Sequence, residues 1–143
     1  MGVQATYYFR AVPVSWDEDI IREIFGMGHE VGYHYENLSM FNGDMDKAFE
    51  NFKFNLERLR EIVPVRTICM HGSPLSRIDN LDMWKKYDYK ELGVIAEPYL
   101  DVDFGEVFYI TDTGRKWNNE GASVRDRVGY EDLGIEELRN LGI

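Results

Sequence analysis

Cysteine, positive charge and long apolar runs are scarce in this 143-residue sequence. Because Cys69 is the single cysteine, an intrachain disulfide is excluded. The 16 lysines and arginines stand against 26 aspartates and glutamates, and the resulting net charge of −10 makes nucleic acid an unfavourable partner. No stretch approaches the about 20 consecutive apolar residues of a membrane helix, so we expect no membrane partner. The first residues have neither a basic segment nor an apolar run, which favours a cytoplasmic protein.

What the sequence does contain is typical of one globular domain. Hydrophobic residues make up 44% of the chain and aromatic residues 14%, enough for a sizeable core. We therefore expect a single domain over residues 1–143. A small or neutral ligand, or a cation, suits its acidic composition better than a polyanion.

Segments rich in β-branched and aromatic residues alternate with segments of helical periodicity. The predicted strands cover residues 3–9, 30–35, 65–70, 93–96 and 106–111. Predicted helices follow a capping box that begins at Ser15 and a cap at Asp44, and shorter ones cover residues 81–87 and 131–141. This alternation predicts an α/β fold with a mostly parallel sheet flanked by helices, either open or closed into a barrel.

Polar residues stand at or just beyond the ends of these strands, where α/β proteins of both kinds place their ligands. In chain order they are Arg10, His34, Glu36, His71, Glu97, Asp112 and Arg115. We take this set as the candidate functional residues.

Two histidines and a carboxylate in this set suit a divalent metal. If the extended conformation persists to Glu36, His34 and Glu36 project from the same side of their strand, and the turn after His71 could bring it to the same rim. Imidazole and carboxylate ligands suit zinc, iron, manganese or cobalt. The alternative is that each histidine is a hydrogen-bonding loop residue. For His29 and Cys69 we favour a structural histidine and a buried thiol.

Two segments carry a resemblance to a known family. Gly-His-Glu-Val-Gly-Tyr-His at positions 28–34 resembles the second motif of the polysaccharide deacetylase (NodB-homology) family, in which the last histidine binds metal. Ala-Thr-Tyr-Tyr-Phe at positions 5–9 resembles the strand that precedes this motif by one helix. The resemblance covers about the first third of the chain. It implies a partial or distorted (β/α) barrel that hydrolyses acyl groups on sugars at an Asp-His-His metal site.

The sequence departs from that family in three places. The family's first motif, a strand with two aspartates, would precede Val3, so we expect the family's first strand to be missing. Leu38 stands where the second metal histidine would fall, and Met-His-Gly-Ser-Pro at positions 70–74 stands where the third motif would place an arginine near a proline. His71 could replace the missing ligand, with Glu36 as a further one. Weak or absent deacetylase activity is the expected consequence.

These observations lead to three hypotheses about function. The first is a metal-dependent deacetylase-like hydrolase, with a divalent metal, zinc in first place, and a carbohydrate or small-molecule substrate. In it the metal ligands are His34, His71 and Glu36, the catalytic residues are Glu36, Asp112 and Arg10, and the substrate is bound by Arg115 and Glu97. The second is a catalytically inactive domain that binds a glycan or a partner chain. The third is an unrelated α/β protein in which the motif match is coincidental.

A prediction about assembly follows from the first strand. If the strand from Val3 to Phe9 lacks one neighbour, its unpaired backbone groups form an exposed apolar edge of the kind that proteins cover. We expect a homodimer that buries this edge, or a C-terminal segment folded back over it.

Overall fold

The computed structural model describes residues 2–72 and 76–103. Its three strands are β1, Thr6–Phe9; β2, Glu30–Tyr35; and β3, Ile68–Met70. Its α-helices are α1, Glu18–Gly26; α2, Asn37–Met40; α3, Met45–Arg60; and α4, Pro98–Asp101. Two 3₁₀ helices cover Asn80–Lys85 and Tyr89–Leu92. Contacts divide the chain after Asp101, and all of these elements lie in the unit Met1–Asp101. The predicted strand at 106–111 and helix at 131–141 lie outside the described residues.

The sheet confirms the predicted α/β class. Its strand order is β1-β2-β3, and both pairs are parallel. The register places Phe9 beside Tyr33 and Tyr35 beside Met70, so the three strands end close to one another. The described strands form an open sheet, and no barrel closure is seen among them. None of the helices in this part of the chain has the length and hydropathy to cross a bilayer.

The two long helices begin at aspartate caps. The Asp44 side chain accepts a hydrogen bond from Lys47 N, which confirms the predicted cap of α3. For α1 the predicted capping box at Ser15 is wrong. Asp17 is the cap and accepts from Asp19 N and Ile20 N, while the Ser15 hydroxyl donates to the Arg10 carbonyl. The Asp17 carboxylate therefore accepts from the first amides of α1 in place of the Ser15 hydroxyl.

The predicted fourth strand at 93–96 is reduced to a single bridge. Ala96 pairs in parallel with Thr67, supported by hydrogen bonds from Ile68 N to Ala96 O and from Ile95 N to Arg66 O. Gly93 ends the preceding 3₁₀ helix in the left-handed conformation, with φ at 71°. Because α4 begins at Pro98, only a few residues remain for extended structure.

The core lies on one face of the sheet, against α3. Val31, Tyr33 and Tyr35 alternate along β2 and are buried on this face, as the two-residue period of a strand requires. The Phe52 ring of α3 lies 5.3 Å from that of Tyr33 and 5.5 Å from that of Tyr35, between ring centroids. This aromatic packing fixes β2 and thereby the position at which it ends.

Strand β1 lies at an outer edge of the described sheet. It pairs with β2, and Val3 and Tyr7 on this side of the molecule are exposed. The edge predicted between Val3 and Phe9 is thus present in the described part of the chain, with its regular portion limited to Thr6–Phe9. The homodimer through this edge stays a prediction.

A glycine in β2 permits an aromatic ring to lie against the strand. A Cβ atom at Gly32 would lie 2.4 Å from Tyr8 Cε1 and 2.9 Å from the Thr67 carbonyl oxygen. We expect Gly32→Ala to lower the free energy of unfolding by about 1–3 kcal/mol, because the backbone carbonyl cannot yield as a side chain can. Urea unfolding measures this change.

The matched control is Gly26→Ala at the end of α1. Nothing lies within 4 Å of a Cβ atom at that position. This substitution should leave stability unchanged or raise it by about 0.5–1 kcal/mol, since alanine loses less backbone entropy in a helix. Equal effects of the two substitutions would contradict the close approach at Gly32.

Candidate functional site

Four of the predicted residues meet at the carboxyl ends of the strands. Arg10 follows β1, His34 lies near the end of β2, Glu36 follows β2, and His71 follows β3. Parallel pairing brings these ends to one rim, and His71 N continues the pairing by donating to the Tyr35 carbonyl at 2.7 Å. The prediction that His34, Glu36 and His71 converge is confirmed.

The two imidazoles contact each other directly. His34 Nε2 and His71 Nδ1 are 3.1 Å apart, and the rings cross almost at right angles, at 79°. His34 Nδ1 lies 2.9 Å from the Cys69 carbonyl oxygen. A carbonyl can only accept, so His34 carries its proton on Nδ1, and its Nε2 accepts the hydrogen bond that His71 Nδ1 donates.

Arg10 and Glu36 form a bidentate ion pair beside the histidines. Arg10 Nε and Nη2 donate to Glu36 Oε1 at 2.9 and 2.7 Å, and Nη2 also donates to Oε2 at 2.8 Å. Glu36 Oε2 lies 4.0 Å from His71 Nε2. The extended conformation ends at Glu36, where ψ is 22°. The turn into α2, and not strand alternation, therefore brings the Glu36 side chain towards the histidines.

Partial burial favours the neutral form of both imidazoles. Burial is the main cause that lowers the pKa of His34, and the Cys69 carbonyl opposes it by favouring the protonated ring. Burial also lowers the pKa of His71, assisted by the positive charge of Arg10 and opposed by Glu36. Neutral imidazole is the form that binds metal, so the electrostatics of the pair suit a metal ligand.

The histidine pair fits two ligands of one metal ion. The hydrogen bond places the two nitrogens 3.1 Å apart, and two nitrogens bound about 2.0–2.1 Å from the same ion lie about 3.0–3.4 Å apart, so a metal ion would take the place of the shared proton. The contact from His34 Nδ1 to a backbone carbonyl is the usual support for a metal-binding histidine. Both oxygens of Glu36 accept from Arg10, and the role of Glu36 as a further ligand stays a prediction. Within residues 2–72 and 76–103, no three or more His, Cys, Asp or Glu side chains are grouped for metal binding.

Glu97 lies below this rim and not in it. Its side chain is fully buried, Oε1 accepts from Met70 N at 2.9 Å, and Oε2 accepts from Tyr99 N at 2.6 Å. Burial raises the pKa of Glu97. Through these contacts the Glu97 carboxylate holds the backbone at the end of β3. Its role in substrate binding stays a prediction. Asp112 and Arg115 lie outside the described residues.

The other residues weighed from the sequence have local partners. Burial, with a smaller effect of Glu97, raises the pKa of Cys69 to about 12, which makes the thiol a poor nucleophile. His29 Nδ1 accepts a hydrogen bond from Ala5 N at the opposite end of β2. His29 and Glu30 also line a cleft of about 590 Å³ at that end.

Sequence reasoning missed the groups that hold the rim together. The Cys69 contact is made by a backbone carbonyl, which no residue pattern reveals. Asn80 and Ser39 link the loops that follow β2 and β3, and they come from segments without a recognisable motif. Asn80 stands between Asp79 and Leu81, so its surroundings in the sequence give no clear signal.

Comparisons with models of protein families, with curated proteins and with solved structures found no match. The resemblance to polysaccharide deacetylases therefore rests on the two motifs alone.

Proposed function

We propose that this chain is a metal-dependent hydrolase of acyl groups on sugars, with His34 and His71 as the metal ligands. The observation that carries the proposal is the 3.1 Å contact between the two imidazoles, with the His34 tautomer fixed by the Cys69 carbonyl. The last histidine of the Gly-His-Glu-Val-Gly-Tyr-His motif is His34, so the resemblance and the geometry favour the same ligand. The parallel strands would form part of a distorted (β/α) barrel.

Zinc is the first candidate for the metal, because two imidazole nitrogens leave positions open for water and substrate. When bound, such an ion would acidify a water molecule and polarise an acyl carbonyl. The contribution of the protein is to place two imidazole nitrogens 3.1 Å apart and to hold a carboxylate beside them. Glu36 lies close enough to His71 to orient its ring, and Arg10 fixes Glu36.

The expected result for the zinc-loaded protein is slow release of acetate from an acetylated oligosaccharide. Glu36→Gln should reduce the rate by about 10²–10⁴-fold if Glu36 transfers the proton, because that is the usual cost of losing a general base. Zinc affinity should change much less, since both imidazoles remain. A rate equal to that of the unsubstituted protein would remove Glu36 from the reaction.

The ion pair between Arg10 and Glu36 favours a second candidate function, an inactive glycan-binding domain. Both oxygens of Glu36 are occupied by Arg10, which leaves the carboxylate less available as a base. This candidate predicts oligosaccharide binding without acetate release at any zinc concentration. Acetate release that depends on zinc would reject it.

A further inference from the structure

One buried side-chain amide connects the segment after β3, which carries His71, with the segment after β2, which carries Glu36. Asn80, at the start of a 3₁₀ helix, is 2% exposed. Its Nδ2 donates to the His71 carbonyl at 2.9 Å, and its Oδ1 accepts from Ser39 N at 2.9 Å. The side chain of Asn80 thus donates to the segment after β3 and accepts from α2.

The link continues from Ser39 to Glu36. The Ser39 hydroxyl donates to the Glu36 carbonyl at 2.8 Å. An unbroken series of hydrogen bonds therefore connects the backbone of His71, through Asn80 and Ser39, to the backbone of Glu36. The helix that presents Asn80 is itself anchored, because Asp79 caps it by accepting from Leu81 N.

Strand pairing cannot supply this connection. The register between β2 and β3 ends at Tyr35 and Met70, and the bond from His71 N to Tyr35 O is the last of the ladder. Beyond it the chain enters α2 on one side and a loop on the other, so the ladder holds the amide of His71 but neither its carbonyl nor the segment after Glu36. A bridging amide with both a donor and an acceptor supplies that constraint.

We propose that Asn80 is a positioning residue that sets the spacing between His71 and the two side chains at the end of β2, His34 and Glu36. The metal part of the inference rests on the proposed function, whereas the spacing itself does not. Outer partners of metal ligands typically govern affinity by about 10–100-fold. Asn80 bonds to the backbone of His71, a proposed ligand. Through Ser39 it is also linked to the backbone of Glu36.

The test is Asn80→Asp in the full chain. Aspartate keeps the acceptor for Ser39 N, but a carboxylate oxygen replaces the donor to the His71 carbonyl. In metal-free protein we expect loss of the NOE between the ring protons of His34 and His71, whose ring centroids are 4.9 Å apart. We also expect cobalt(II) binding to weaken by about 10-fold and its visible spectrum to change.

Asn55→Asp is the matched control. Asn55 is a buried asparagine of α3 whose Nδ2 donates to Tyr33 Oη and Asn51 Oδ1, and within the described residues these partners bond to Asn37 but not to the segment of His71. It should lose comparable stability and keep both the NOE and the cobalt spectrum. If Asn80→Asp does not fold, Ser39→Ala removes only the bond to the Glu36 carbonyl. That variant should shift the Arg10 Nε–H resonance, because this group donates to Glu36.

The readouts separate the two proposals. An unsubstituted protein that binds no cobalt, combined with loss of the NOE in Asn80→Asp, would reject the metal site and support the role of Asn80. A folded Asn80→Asp protein with an unchanged NOE would overturn the inference whether or not metal binds. An unchanged Arg10 resonance in Ser39→Ala would count against it equally.

Discussion

Replacing His34 with alanine is expected to weaken zinc binding by more than about 100-fold. Loss of an outer partner of a ligand already costs about 10–100-fold, and this substitution removes a proposed ligand. His34 also holds its neighbour, because His71 Nδ1 lies 3.1 Å from its Nε2. Competition with a chromophoric chelator measures the affinity of the purified protein, and His71→Ala should behave in the same way.

His29→Ala is the matched control for this prediction. The chain has three histidines, and His29 lies at the opposite end of β2, where its ring accepts from Ala5 N. Zinc affinity should be unchanged in this variant. If all three substitutions reduce zinc affinity equally, zinc binds to the histidines non-specifically and the proposed metal site does not exist.

Phe52→Ala is expected to lower the free energy of unfolding by about 3–5 kcal/mol, the usual cost of removing a buried aromatic ring. Phe52 has no exposed surface, and its ring contacts those of Tyr33, Tyr35 and Trp84. Domains of this size are stable by only about 5–15 kcal/mol, so the loss is a large part of the total. Chemical unfolding followed by tryptophan fluorescence measures it.

Phe54→Ala provides the comparison within the same helix. Phe54 is 60% exposed and has one weak interaction with a cation, at 5.7 Å between its ring centroid and Arg58 Cζ. Its loss should cost no more than about 1 kcal/mol. If the two variants are equally stable, the assignment of the core face of α3 is wrong.

The elements with strong local signals were predictable from the sequence. Asp44 and the apolar periodicity after it define α3, and the β-branched and aromatic residues of Glu30–Tyr35 define β2. Strand alternation places Tyr33 and Tyr35 on the same side of β2, and the structure buries that side. The convergence of Arg10, His34 and His71 follows from parallel pairing, since the ends of parallel strands meet at one edge.

The details that failed depend on competition between neighbouring groups. Ser15 and Asp17 both suit a helix cap, and only the folded chain decides which reaches the amides. Gly93 and Pro98 leave too little chain for a fourth strand, although the residues between them favour one. Within the site, the sequence placed Glu36 near the histidines, but it could not show that both carboxylate oxygens accept hydrogen bonds from Arg10.

X-ray absorption at the zinc edge of the zinc-loaded protein tests the central claim most directly. The account predicts scattering from two imidazoles bound through nitrogen at about 2.0–2.1 Å, which disappears in the protein that carries both His34→Ala and His71→Ala. His29→Ala should leave the spectrum unchanged. A spectrum with oxygen ligands alone, or one that survives the double substitution, would contradict the assignment of a metal site to this pair of histidines.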